Sequence, residues 1–177
     1  DTTLNLNEYD IIILNEWWTE ETQKYLNIYQ EKIKEFVAQG GVFVVLFSLH
    51  NSCDIQYWTS SWSQYPLYLK LNNKANNCKE DVLASRDVIY LEGHPIFVGL
   101  EGHYLQTVGQ KYFVAPDPHW YVLAKNKDLD QPTWLEGQYE KGRYLLIGAQ
   151  LSFWYGKKYQ QTLIFDNIIQ YAKQLSK

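Results

Sequence analysis

The apolar positions of this chain come in two kinds of block, and each kind predicts a different element. Asp10-Ile11-Ile12-Ile13-Leu14 and the stretch from Val42 to Phe47 are nearly continuous apolar runs of strand length, rich in β-branched residues. That is the pattern of a strand covered on both faces. Between them, Leu26, Tyr29, Ile33, Phe36 and Val37 recur at intervals of three and four, which places them on one face of a helix from about Glu20 to Gln39. Thr19 is positioned to cap this helix, Glu20 and Glu21 complement its dipole, and Gly40 supplies a left-handed stop. Strand, helix and strand in this order predict a right-handed crossover with the two strands parallel.

The second half reads as shorter strands and one closing helix. Asp81 to Leu91 is expected to return the chain to the sheet as a short helix or strand, and further strands are predicted at Tyr112 to Ala115, Tyr121 to Lys125, Thr133 to Tyr139 and Arg143 to Ile147. The tight connection Glu140-Lys141-Gly142-Arg143 makes the last two an antiparallel pair. A helix from about Tyr159 to Leu175 buries Ile164, Ile168, Tyr171, Ala172 and Leu175. Residues 50–80 form a long, aromatic-rich insertion loop, and loops of that length are commonly functional or partly structured. No internal repeat is visible, and residues 1–177 read as a single domain.

Composition narrows the function classes. A hydrophobic content of 46% over 177 residues suffices for one good core. The net charge of −4, without runs of like charge, leaves no electrostatic footprint for nucleic acid. No stretch approaches the roughly 18 consecutive apolar residues of a membrane span. The chain has no Met and opens on the polar Asp1 to Glu8, so it is expected to be a piece of a longer protein.

The two cysteines, Cys53 and Cys78, both lie in the long loop. A disulfide between them would close a loop of about 25 residues and stabilise by roughly 3 kcal/mol in the chain-entropy picture; two unrelated thiols are the alternative. The bridge, with the abundance of Asn, Gln, Tyr and Trp, leads to the expectation of an extracellular or cell-surface location.

The strand–helix–strand unit from Glu8 to Asn51, the later Lys141 to Gln150 segment and the phrase His94-Pro95-Ile96-Phe97-Val98-Gly99-Leu100 together resemble the class I glutamine amidotransferase-like superfamily, including its ThuA-like and non-catalytic branches. The resemblance implies an α/β fold, a flavodoxin-like three-layer sandwich with a mostly parallel central sheet and an antiparallel extension near the C-terminal end. It places Ser48 at the nucleophile elbow of the family, where a strained turn exposes the side chain to neighbouring backbone N–H groups. Leu46 and His50 replace the elbow glycines, and the stretch expected to carry the partner histidine reads Gly148-Ala149-Gln150.

Ser48, His50 and His94 are therefore the catalytic candidates, in a site whose expected base is missing. No His, Cys or Asp spacing predicts a metal site, a His50, Asp54 and His94 cluster included. Asn15-Glu16-Trp17-Trp18 follows the first strand where a phosphate needs glycines, so no nucleotide cofactor is expected. Trp17 and Trp18 after the first strand, and Tyr57, Trp58 and Trp62 after the second, supply the flat faces that a glycan rim or a protein interface uses. The expected function is a non-catalytic amidotransferase-like structural or interaction module of a larger protein, with that protein's other domains or a protein partner as its ligand. The alternatives are a carbohydrate-binding module using the aromatic rim, and a ThuA-like sugar-modifying enzyme or hydrolase using Ser48.

Overall fold

A computed structural model of the protein describes residues 5–15, 20–46, 87–100, 102, 104–106, 118–148 and 158–175. Seven strands form one sheet: β1 (Ile11–Asn15), β2 (Val42–Leu46), β3 (Asp87–Tyr90), β4 (Tyr104–Gln106), β5 (Trp120–Asn126), β6 (Pro132–Tyr139) and β7 (Gly142–Ile147), in the spatial order β1-β2-β7-β6-β5-β3-β4. Helix α1 (Glu20–Ala38) joins β1 to β2, and helix α2 (Lys158–Leu175) follows β7.

The central strands alternate between two cores, as a pleated sheet with both faces covered must. Val42, Val44 and Leu46 of β2, with Leu145 and Ile147 of β7 and Trp134 of β6, pack with Ile164, Ile168 and Ala172 of α2. Phe43 and Val45, with Tyr144, Leu146 and Leu135, pack with Ile33, Phe36 and Val37 of α1. The two helices thus lie on opposite faces, which explains the uninterrupted apolar reading of β2.

The mostly parallel, flavodoxin-like sheet expected from the resemblance is overturned. Only β1 with β2 and β2 with β7 pair in parallel, whereas β7–β6, β6–β5, β5–β3 and β3–β4 are all antiparallel. The sheet is mixed, and α1 and α2 are the only long helices among the described residues. For β5–β6 and β6–β7 the cause is the length of the connections. A parallel return needs a crossover of a dozen or more residues, and the chain from β5 to β7 offers only 127–131 and the turn Glu140-Lys141.

Two turns are fixed by geometry that the sequence announced. Gly40 has φ +117°, donates its N–H to Val37 O, and is followed by Gly41 N donating to Phe36 O, both at 3.0 Å. This is a Schellman closure of α1. The β6–β7 hairpin then rests on that helix end: a Cβ on Gly142 would stand 2.1 Å from the Val37 carbonyl oxygen and 2.3 Å from that of Gly41. Thr19, residues 50–80 and the strand expected at Tyr112 to Ala115 lie outside the described residues.

Candidate functional site: a buried carboxylate with three donors

Glu136 is a charged residue in the most buried stretch of β6, where Thr133 to Gly137 are all buried. Strand alternation turns it to the α2 side with Trp134, opposite the apolar Leu145 of β7. A carboxylate there needs donors, and three separate elements supply them. Tyr171 of α2 donates its hydroxyl to Oε1 at 2.7 Å. Arg143 of β7 brings Nε to 3.4 Å from the same oxygen. His94 places Nε2 3.3 Å from Oε2.

His94 is itself held at both nitrogens. It caps the 3-10 turn Pro95–Phe97, and its Nδ1 accepts the N–H of Ile96 at 3.4 Å. Because Nδ1 accepts, the hydrogen-bond pattern assigns the proton to Nε2, which donates to Glu136. The imidazole also stands edge-on to the Tyr171 ring, with centroids 5.0 Å apart.

The electrostatics follow from these contacts. Burial alone would raise the Glu136 carboxyl, but the hydrogen bonds from His94 and Tyr171 and the nearby Arg143 charge outweigh it and hold the group below its ordinary value. Tyr171 moves strongly upward, through burial and through the anion it serves, so its hydroxyl remains a donor at any working pH. The result is an ionised carboxylate with both oxygens engaged, beside an imidazole with both nitrogens engaged. Such an arrangement fixes the positions of a turn, a helix and a strand.

Its position in the sheet also separates it from the usual ligand edge. Glu136 is in register with Leu145, Leu145 with Val44, and Val44 with Ile13, so the cluster is level with the middle of the parallel strands and beneath α2. Ligands of open α/β sheets bind beyond the carboxyl ends of the strands, which here are Asn15, Leu46 and Ile147, aligned side by side.

Of the residues singled out from sequence, only His94 belongs to this cluster. Ser48 and His50, the aromatic candidates Trp17, Trp18, Tyr57, Trp58 and Trp62, and the cysteines Cys53 and Cys78 lie outside the described residues. Among the described residues no group of His, Cys, Asp and Glu is arranged to hold a metal, and no helix is long and apolar enough to cross a membrane. Glu136, Arg143 and Tyr171 are not singled out as site residues from sequence, although Tyr171 is placed on the buried face of the closing helix. The available signal was a lone carboxylate in the apolar stretch Thr133-Trp134-Leu135-Glu136-Gly137.

No protein-family model matches the chain, and no curated protein matches it either. Solved structures do. A cytoplasmic protein of Salmonella typhimurium superposes with a TM-score of 0.63 at 13% identity, over 94% of this chain and 73% of its own. A second cytoplasmic protein of the same organism gives 0.56 at 19% identity, over 94% and 72%. A cold-adapted β-galactosidase from Rahnella gives 0.54 at 16% identity, over 97% of this chain but 24% of the enzyme. The chain therefore spans about a quarter of that β-galactosidase. At these identities the likeness is one of fold.

Proposed function

We propose that this chain is a non-catalytic, amidotransferase-like module that serves as a structural and interaction domain of a larger, secreted or surface-attached protein. One observation carries this reading: the His94–Glu136 pair sits in mid-sheet under α2 with its polar atoms engaged by Ile96, Tyr171 and Arg143, as a structural pin does. The parallel tract β1–β2–β7 supports the amidotransferase-like assignment, and the β-galactosidase match over 24% of that chain supports a part played within a longer one. The test is a screen of p-nitrophenyl ester, glutamine and p-nitrophenyl glycoside hydrolysis by the wild type and Ser48→Ala. Neither protein is expected to exceed buffer rates; turnover that disappears with Ser48 overturns the reading.

A second reading, glycan recognition by Trp17, Trp18, Tyr57, Trp58 and Trp62, is favoured by the alignment of Asn15 with Leu46. The chain leaves toward both aromatic groups from one edge of the sheet. Tryptophan-fluorescence titration with oligosaccharides checks it, and affinity unchanged in Trp58→Ala removes that residue from the rim.

A further inference from the structure

We propose that α2 and the 94–100 turn form a single unit that opens from the sheet as one piece, latched by the carboxylate of Glu136. The turn and the helix are tied to each other without any charge. Asn167 of α2 donates Nδ2 to the carbonyls of Ile96 at 3.2 Å and Val98 at 2.8 Å, and the His94 and Tyr171 rings meet edge-on. Among the described residues, a polar tie from each of them meets on one group, since His94 from the turn and Tyr171 from the helix both donate to Glu136, which the sheet's own Arg143 braces from β7. Ile96, Phe97, Ile164 and Ile168 add apolar packing on the sheet.

Removing the negative charge therefore weakens the hold of both segments together, while Asn167 keeps them joined. Among the described residues, the titratable groups facing Glu136 are His94 on the turn, Tyr171 on α2 and Arg143 on β7, with Tyr121 directly across on β5. Tyr171 is shifted upward and stays a donor, and the negative charge that the cluster loses as pH falls is that of the Glu136 carboxylate. Stability from a carboxylate whose folded value is lowered is complete above its unfolded value, and is lost as pH falls through the folded one.

Amide hydrogen exchange followed by mass spectrometry reads this directly, because local openings are resolved segment by segment. In Glu136→Gln at pH 7, protection at 94–100 and at 158–175 is expected to fall by the same factor, about tenfold or more for the loss of charge-assisted bonds, with 42–46 and 143–147 unchanged. Adding Asn167→Ala is expected to split the two factors. Loss confined to one segment, or an equal loss across the sheet strands, overturns the proposal. Should Glu136→Gln not fold, the wild type followed from pH 7 into acid gives the same reading: the two segments open together ahead of the strands, and strands opening first overturns it.

Discussion

Tyr171→Phe removes one oxygen atom and leaves the ring, so it isolates the hydroxyl that reaches Glu136 at 2.7 Å. A hydrogen bond to a charged group contributes about 1.5–3 kcal/mol. The lower end applies here, because His94 and Arg143 remain within 3.3 Å and 3.4 Å of the carboxylate and Tyr171 is only partly buried. We expect urea unfolding to show a loss of about 1.5 kcal/mol at pH 7. The pH dependence is the sharper part. Since Tyr171 is shifted upward and stays protonated, its own hydroxyl adds no pH dependence to the difference between wild type and variant from pH 6 to 8. Since Glu136 is shifted downward, the difference is still present at its ordinary value and shrinks as pH drops through the lowered one, where the carboxyl becomes neutral. A loss below about 0.5 kcal/mol at pH 7, the usual scatter of surface substitutions, or a loss that persists undiminished in acid, would refute the charged hydrogen bond as the tie between α2 and the sheet.

Other outcomes are equally specific. Gly142→Ala forces a Cβ to within 2.1 Å of the Val37 carbonyl oxygen, and since the obstacle is backbone, an overpacking loss of about 1–3 kcal/mol is expected; an unchanged melting temperature would mean that the hairpin lifts freely from α1. Trp134→Ala, at a position with 0% exposure in the α2 core, is expected to destabilise by about 3–5 kcal/mol, read by denaturant midpoint, and a loss under 1 kcal/mol contradicts the packing described. If Cys53 and Cys78 are bridged, reduction lowers the melting temperature; an unchanged melt argues against the secreted assignment.

What the sequence disclosed and what it withheld divide along chain distance. The β1–α1–β2 unit was legible because every signal for it is local: two apolar runs, a 3,4 repeat and the paired glycines at 40 and 41. The hairpin from Thr133 to Ile147 was legible for the same reason. The order of strands was not, because nothing in β3 announces that Tyr90 aligns with Ala124, and antiparallel insertion makes the sheet mixed. β4 and the Pro95–Phe97 turn are each only three residues long, too short for any period to register. At the candidate site, His94 stood out as one of four histidines, but its partner Glu136 is 42 residues away and Tyr171 reads as an ordinary core-facing position of a helix. The family resemblance directed attention to Ser48, which lies outside the described residues, whereas the described polar cluster is level with the middle of β2 and β7.

The adjacency of β2 and β7 has a consequence for how the chain comes off the ribosome. Val42 aligns with Arg143 and Leu46 with Ile147, so the inner flank of β2 meets its partner only after about a hundred further residues have been made, roughly 5–20 seconds of synthesis. Throughout that interval Val42-Phe43-Val44-Val45-Leu46 presents an unpaired apolar edge, and α2, which seals one of its faces, emerges later still. The segment through β2 is therefore the part of this domain most in need of protection during synthesis, and truncation before residue 142 is expected to yield insoluble chains.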